Sequence, residues 1–366
     1  QYEAPAFSFL ANVAAVPLAT CAFTLAFLLI FLPYTVFHEA ISWMIQGVLW
    51  ISRQSYGMLT IGHVPFLWVL LFYFMTGLWI WKKNGQNRHI RISLAYVIMI
   101  ILIWIPMARR KSLAFLDVGQ GDCFVADTKS GAIIFDGGSS SEDQVGRYRI
   151  LPYMKYLGYQ KIQIAVISHM DIDHYSGIKE LLEMGKIKYL GLPEIPKDET
   201  MKKIIGIAKK RGTTIFYLSR GRQITTKDGS LKVLHPQKNS QMEKNAASLV
   251  MQGKILGYRV LLTGDVEKEG EEELLSEELE RADILKAAHH GSKNSTSNEF
   301  LQKVQPKQTV ISCGKQNRYG HPHLETIHRL QTYHTKIYRT DRSGAIIFSK
   351  EEMVENLQKK RYTIKS

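Results

Sequence analysis

Cysteine is scarce in this sequence, and acidic residues are scarce in its first 111 positions. The three cysteines of the 366 residues stand far apart, at positions 21, 123 and 313, which excludes a disulfide framework. Residues 1–111 contain two acidic residues against eight lysines and arginines, whereas residues 112–366 contain 31 against 39. The chain therefore divides near residue 111 into two parts of different class.

The first part lacks charge over long apolar runs. Uncharged stretches cover residues 17–37, 64–81 and 92–108. At a rise of about 1.5 Å per residue, each can cross or nearly cross a hydrocarbon core of about 30 Å. Tryptophan and tyrosine edge these stretches, as they edge membrane spans. We predict an all-α transmembrane segment over residues 1–111, with buried helices of a large soluble core as the alternative.

A different pattern separates the first two runs. Ile41, Met44, Ile45, Val48 and Leu49 recur at helical spacing among polar residues. This predicts an amphipathic helix over about 39–53, which lies in the membrane interface or lines a pore. A plain connector is the alternative.

Basic loops indicate the orientation in the membrane. The loop 81–91 carries four lysines and arginines, and the positive-inside rule places such a loop in the cytoplasm. One further span then puts residues 109–366 outside, although the basic run at 109–111 argues for the opposite. We expect a multi-pass protein of the cell membrane with an extracytoplasmic C-terminal domain. The start at Gln1, close to an apolar run, suggests a fragment of a longer membrane protein.

From residue 112 onward, strand patterns alternate with helix patterns. The first predicted strands are LAFLDV, DCFVADT and GAIIFDG. The alternation of strands and helices continues through a second half that ends near residue 350. Such halves predict an α/β protein in which two sheets pack face to face with helices outside. Loops at one end of the sheets would then converge on a shared site.

Metal-ligating residues cluster after these strands. The segment SHMDIDHYSG, residues 168–177, follows the apolar run KIQIAVI, while LLTGD and AAHHGS follow later strands. Imidazoles and carboxylates that several strand ends bring to one place suit one or two divalent ions. The predicted ligands are His169, Asp171, Asp173, His174, Asp265, His289 and His290, and either His289 or His290 can be the final one.

The order HMDIDH, TGD, HHGS resembles the metallo-β-lactamase fold, an αββα sandwich with a metal site at one edge. Together with FLDVGQGDC, IIFDGG, NAASLV, HHGSKNSTS and GHPH, it resembles the C-terminal domain of ComEC-type competence proteins, which carry transforming DNA across the cell membrane. The resemblance covers residues 113–350. The preceding apolar runs fit the end of that family's channel domain.

Two departures from the fold's pattern bear on the metal. Asp171 stands at the second ligand position of the usual HxHxDH, and His235 is the only histidine between His174 and His289. Asn245 lies where the third histidine would fall. An oxygen-rich site of this kind favours Mn²⁺, with Zn²⁺ possible.

The resemblance implies DNA uptake and hydrolysis of the phosphodiester bonds of the strand that is not transported. Metal ions would activate water and neutralise charge on the phosphoryl oxygens. In this interpretation Asp265 is shared between the ions, Asp173 ligates or orients the nucleophile, and His321 completes a ligand shell or acts as an acid. The predicted catalytic residues are Asp173, His174, Asp265 and His321.

Further polar residues surround these motifs. For DNA binding we predict a phosphate site at a helix start and a basic, aromatic loop, formed by Ser292, Lys293, Ser295, Lys315, Arg318 and Tyr319. Helix capping and a solvated loop are the alternatives. For support of the ligands we predict Asp117, Gln120, Asp122 and Asn245, with turn formation as the alternative for the DVGQGD residues.

Three functions fit these patterns. The first is a DNA-uptake protein that contacts double- and single-stranded DNA, the membrane and other uptake proteins. The second is a membrane-tethered hydrolase of another ester. The third is a non-catalytic domain that positions DNA. Strong salt dependence of polynucleotide binding would distinguish the first from the second.

Overall fold

The computed structural model describes residues 3–5, 8–28, 35–53, 58–60, 62–63, 66–81, 93–94, 97, 111–349 and 352–356. The chain forms two compact units, Gln1–Pro106 and Met107–Ser366. The division falls close to the boundary that the charge distribution predicts at residue 111.

The first unit contains three described helices. They are α1 (Ser8–Leu28), α2 (Thr35–Arg53) and α3 (Phe66–Trp81), with a short antiparallel pair of strands, β1 (Glu3–Pro5) and β2 (Met58–Thr60). α1 and α2 lie against each other. α2 covers the region of the predicted amphipathic helix, and α3 covers most of the run 64–81.

The first described helix and the first predicted span, residues 17–37, overlap but have different bounds. α1 begins at Ser8, not at residue 17, and ends at Leu28. Proline favours helix starts, but Pro17 lies inside α1, so it does not mark the start here. Among the described residues, no helix combines the length and the apolarity that a membrane crossing requires. The run 92–108 lies outside the described residues except for positions 93, 94 and 97.

The second unit is built on two sheets. The first sheet has the order β17-β16-β3-β4-β5-β6-β7-β8 and the second the order β15-β14-β13-β12-β11-β10-β9. The strands of the first are β3 (Ser112–Phe115), β4 (Phe124–Thr128), β5 (Gly131–Phe135), β6 (Ile162–Val166), β7 (Ile187–Pro193), β8 (Thr214–Leu218), β16 (Ile346–Ser349) and β17 (Glu352–Asn356). Those of the second are β9 (Gln223–Thr226), β10 (Gly229–His235), β11 (Val250–Ile255), β12 (Tyr258–Leu262), β13 (Ile284–Lys286), β14 (Gln308–Ile311) and β15 (Lys336–Arg339).

Helices cover the outer faces of both sheets. The helices of this unit are α4 (Leu151–Tyr156), α5 (Ile172–Glu183), α6 (Glu199–Lys210), α7 (Lys268–Leu275), α8 (Asn298–Val304), α9 (Leu324–Thr332) and α10 (Thr340–Ser343), with a π-helical turn at Gly146–Ile150 and a 3-10 turn at Ala288–Gly291. One core cluster joins the first sheet to α4, α5 and α6, and another joins the second sheet to α7, α8 and α9.

A third core cluster lies between the sheets, and the alternation of side chains along the strands creates it. In β3, Leu113 and Phe115 enter the cluster between the sheets, while Ala114 packs with the outer helices. In β5, Ile133 and Phe135 do the same, because successive side chains of a strand point to opposite faces. The predicted αββα arrangement is confirmed.

Parallel strands bring the site residues to one edge. β5, β6 and β7 are parallel in the first sheet, and β12, β13 and β14 are parallel in the second. The carboxyl ends of neighbouring parallel strands meet at the same edge of a sheet. The loops that leave these strands therefore contain the ligand motifs.

Candidate metal centre

The first sheet supplies the SHMDIDH residues. His169 lies in the short loop between β6 and α5, Asp171 is the N-cap of α5, and Asp173 and His174 lie in its first turn. The second sheet supplies Asp265, from the loop after β12, and His290, from the turn after β13.

Four of these side chains form a cluster. The ligand atoms of Asp173, His174, Asp265 and His290 all lie within 4.8 Å of one another. Asp265 is central: its Oδ2 is 3.1 Å from Nε2 of His174 and 3.3 Å from Nε2 of His290. Oδ2 of Asp173 lies 3.4 Å from the same nitrogen of His290.

The donor atoms of this cluster fit a divalent ion. Nε2 of His169, His174 and His290 is buried and has no hydrogen-bond partner among the described residues. A buried polar atom left unpaired costs about 1–3 kcal/mol, so the Nε2 atoms of His174 and His290, which both face Oδ2 of Asp265, indicate a missing partner. Imidazole nitrogens facing carboxylates are a donor set for a divalent transition metal. Asp173, His174, Asp265 and His290 would hold it.

Hydrogen bonds at the opposite ring nitrogens aim the imidazoles. Nδ1 of His174 lies 2.9 Å from Oδ2 of Asp136, whose Oδ1 accepts from the backbone N–H of Ser168 at 2.7 Å. Nδ1 of His290 donates to the Ser312 carbonyl at 2.9 Å. With the proton on Nδ1, Nε2 is left free to bind a metal.

The cluster is electrostatically coupled. Burial alone would lower the pKa of His174 and His290, but Asp265, with Asp136 for His174 and Asp122 for His290, raises both pKa values well above the usual range. Burial alone would raise the pKa of Asp265, but His174, His290 and Lys286 hold it well below the usual range. Without a metal, protons on the imidazoles balance the carboxylates.

The cluster forms the floor of a cavity of about 320 Å³. Ile172 and Tyr319, which are 54% and 42% exposed, stand at its mouth. Tyr319 stacks on His321 with 5.7 Å between ring centroids. The Cζ atom of Arg318 lies over the Tyr319 ring, 4.8 Å from its centroid. The remaining lining residues are Gln120, Asp171, Asp173, Asp265, His289, His290 and His321.

Comparison with known proteins agrees with this geometry. Residues 116–315 match the sequence profile of the Metallo-beta-lactamase superfamily. The chain belongs to this superfamily. Membership indicates a metal-dependent hydrolase and implies a divalent metal.

Competence proteins are among the relatives. ComE operon protein 3 of Bacillus subtilis (strain 168) is 34% identical over 285 residues, which are 72% of this chain and 36% of that protein. Competence protein ComA of Neisseria gonorrhoeae is 30% identical over 242 residues, 63% of this chain and 31% of that protein. The chain thus spans about a third of the length of these relatives. The resemblance to ComEC-type proteins is confirmed.

Among solved structures, the metallo-beta-lactamase fold protein YhfI from Bacillus subtilis matches with a TM-score of 0.43 and 13% identity, over 62% of this chain and 95% of that one.

His290, not His289, is the member of the four-residue cluster. The superfamily's final ligand motif reads here as two adjacent histidines, and the 3-10 turn places both in the left-handed region. His290 is buried, whereas His289 is 23% exposed, lines the cavity and has its Nδ1 2.7 Å from Oε1 of Glu267.

His169 and Asp171, the other predicted ligands from the SHMDIDHYSG segment, are not part of the four-residue cluster. Nε2 of His169 lies 3.3 Å from Oδ2 of Asp171, and its ring centroid is 4.2 Å from that of His174. Asp171 also forms an ion pair with Lys244. Asn245 lines a neighbouring cavity and is not among the residues that line the cavity over the cluster. That Asn245 supports the ligands stays a prediction.

Two serines predicted to bind phosphate, Ser292 and Ser295, make hydrogen bonds with the surrounding backbone. The hydroxyl of Ser295 is buried and donates to the Ala288 carbonyl at 2.9 Å, and Oγ of the buried Ser292 accepts from the backbone N–H of Asn294. These contacts stabilise the loop, and phosphate binding by the two serines stays a prediction. The N-cap of α8 is Ser297. Lys293, Lys315, Arg318 and Tyr319 are exposed.

The DVGQGD residues have three different roles. Asp117 accepts from the backbone N–H of Gly119 at 3.2 Å, which is turn formation. Oε1 of Gln120 accepts from the Gly314 backbone, and this residue lines the cavity. Asp122 lies behind the cluster, with Oδ1 3.5 Å from Nδ1 of His290.

Sequence reasoning missed Asp136 and Lys286. Asp136 is the fourth residue of the quoted motif IIFDGG and directly follows β5, and Lys286 is the last residue of β13. The available signal was the same for both: a charged residue at the carboxyl end of an apolar strand whose neighbours supply metal ligands.

Proposed function

We propose that this chain takes part in DNA uptake and that residues 112–366 hydrolyse phosphodiester bonds of the strand that is not transported. The four-residue cluster under an open cavity carries the proposal, because it supplies a metal-dependent hydrolytic site. The competence relatives favour DNA as the substrate.

A divalent ion bound by the cluster would supply Lewis-acid activation of water and neutralise charge on the phosphoryl group. Asp173 lines the cavity and is the most exposed member of the cluster, with a side chain 15% exposed. Burial alone would raise the pKa of Asp173, but the hydrogen bond with His290 and the charge of His174 lower it. The ionised carboxylate can accept a hydrogen bond from the attacking water and orient it.

His321 is suited to accept a hydrogen bond, not to act as a proton-donating acid. Burial lowers the pKa of His321, and the neighbouring His290 and His289 lower it further, to about 4. At neutral pH the imidazole is therefore uncharged. This replaces the acid role expected from the sequence with that of a hydrogen-bond acceptor beside the reacting group.

The mouth of the cavity suits an extended strand. A cavity of about 320 Å³ admits one phosphodiester group and its immediate neighbours. Tyr319 offers an exposed ring on which a base can stack, and Arg318 and Lys315 offer positive charge to phosphates. Lys293 is also exposed, but it lines the neighbouring cavity. The proposed partners of the protein are DNA, other uptake proteins and the membrane.

Location and metal complete the proposal. We place the protein in the cell membrane as a multi-pass chain with its C-terminal domain outside, on the strength of the uncharged runs and the basic loop. Mn²⁺ is the favoured ion, because carboxylates supply half of the cluster.

The test is cleavage of labelled single- and double-stranded DNA by the full chain with Mn²⁺, Zn²⁺, Mg²⁺ or EDTA. The Asp173→Ala, His174→Ala double variant should lose activity. The matched control, Asp143→Ala with His328→Ala, removes one exposed acid and one exposed histidine and should keep it. Intact DNA under every metal, with the protein folded and metal-loaded, would refute the nuclease and leave another ester or a non-catalytic role.

A further inference from the structure

Lys286 places a positive charge inside the site. It is the last residue of β13 and only 4% exposed. A lysine is almost never buried to this extent unless it is paired. Two carboxylates and a backbone carbonyl surround the ammonium, as a buried cation requires.

Three acceptors saturate this ammonium. Nζ donates to the Gly264 carbonyl at 2.9 Å, lies 3.4 Å from Oδ1 of Asp265, and makes its closest contact with Oδ2 of Asp122. An ammonium has three donors, so none remains for water or substrate. Lys286 is therefore a permanent internal cation of the site.

The two carboxylate oxygens of Asp265 have different partners because of Lys286. Oδ1 faces Lys286, while Oδ2 faces Nε2 of His174 and of His290. The contact with Gly264 also holds the backbone immediately before Asp265. One oxygen of this carboxylate is thus kept for the ligand cluster and the other is withheld from it.

Asp122 is withheld in the same way. It groups with Asp136 and His174 in a second set of candidate ligands. However, Oδ2 of Asp122 is held by Lys286, and both oxygens of Asp136 are occupied by Ser168 and His174. This set therefore has no free pair of oxygens to offer a second ion.

We propose that Lys286 is a positioning residue that restricts Asp265 to binding a metal through one oxygen and keeps Asp122 out of the ligand shell. Removal of the ammonium frees Oδ1 of Asp265 and Oδ2 of Asp122 and removes a positive charge that repels the metal. The inference concerns metal binding alone, so it does not depend on which ester the domain hydrolyses.

Lys286→Met in the full chain tests this, because methionine has a similar length and no charge. Lys202→Met, at a lysine 59% exposed on α6, is the matched control. Calorimetry measures Mn²⁺ affinity, and EPR of the bound Mn²⁺ reports on its ligand shell. The melting temperature is measured with and without Mn²⁺. We expect Lys286→Met to melt lower without metal, to bind Mn²⁺ about tenfold more tightly and to change the EPR spectrum. Wild-type or weaker affinity in the folded variant overturns the proposal.

A second pair of variants covers the case in which Lys286→Met does not fold. Lys286→Met with Asp122→Asn removes one charge of each sign, so the site keeps its balance. Asp122→Asn alone leaves Lys286 on Asp265. The double variant should differ from the single one in Mn²⁺ affinity and EPR spectrum, because only there is Asp265 released. Identical affinity and spectra in the two variants overturn the proposal.

Discussion

Asp136 is the residue on which the orientation of His174 depends. Its two oxygens accept from two different groups, the Ser168 backbone N–H and the His174 ring. Asp136→Asn leaves one acceptor oxygen and an amide that cannot accept, so one of these bonds is lost. We expect Mn²⁺ affinity to fall roughly 10–100-fold, measured by calorimetry.

The control for this substitution is Asp127→Asn. Asp127 is equally buried, lies on β4 and pairs with Lys111, not with a histidine. It should lower the melting temperature and leave Mn²⁺ affinity unchanged. Equal effects of both substitutions on affinity would mean that Asp136 acts through general stability.

Metal binding should release protons. In the metal-free protein Asp265 raises the pKa of His174 and that of His290 well above the ordinary value. A protonated ring must lose a proton to bind an ion. Affinity should therefore rise with pH through the range in which these rings titrate. Calorimetry at pH 7 in two buffers of different ionisation enthalpy should show proton release on metal binding; no release would contradict the electrostatic interactions described for the cluster.

At this scale the sequence predicted ligand types better than individual roles. Asp173, His174, Asp265 and His290 were found because their motifs follow strand ends. The choice between His289 and His290 depends on a left-handed turn, which no spacing rule shows. The burial of Ser295 and Lys286 likewise depends on which strands become neighbours, and that information is not local.

Among the elements, the start of α5 depends on close backbone packing. The backbone N–H groups of Asp122 and Gly137 donate to the carbonyls of Asp173 and His174 at 3.0 and 2.8 Å. A Cβ added at Gly138 would lie 2.5 Å from the His174 backbone nitrogen and from the Ile172 carbonyl oxygen. Because both atoms are backbone, no side-chain rotation can make room.

Gly138→Ala should therefore displace the first turn of α5. We expect a loss of about 1–3 kcal/mol in the free energy of unfolding and weaker Mn²⁺ binding, because Asp173 and His174 lie in that turn. Gly206→Ala, at an exposed helical position with open space around it, should instead stabilise by about 0.4–1 kcal/mol. Urea unfolding and Mn²⁺ titration of both variants measure this. Wild-type metal affinity in Gly138→Ala would show that the helix start tolerates displacement.

Element types followed from the sequence where a strand is a short apolar run between turn residues, as in β5 and β6. The first and last residues of the helices were harder to predict from the sequence. α1 continues through Pro17, although an interior proline removes one helical hydrogen bond and costs about 3 kcal/mol or more.

On the scale of the whole molecule, the second unit contains a complete hydrophobic core. The core clusters between the sheets and under both helical layers draw all their buried residues from positions 113–348. A domain with its own core can fold alone. The charge shift near residue 111 and the division of the chain at residues 106 and 107 fall close together, so composition and packing indicate the same boundary.

Residues 107–366, produced alone, should therefore unfold in one cooperative transition and bind Mn²⁺ with the affinity of the full chain. All the ligands of the cluster and their hydrogen-bond partners lie within this unit, so no group needed for metal binding is lost. Circular dichroism during thermal unfolding and calorimetric Mn²⁺ titration measure the two properties. Affinity that falls in the fragment while its transition stays cooperative would show that residues 1–106 contribute to the metal site; a non-cooperative transition would show that the core needs them to fold.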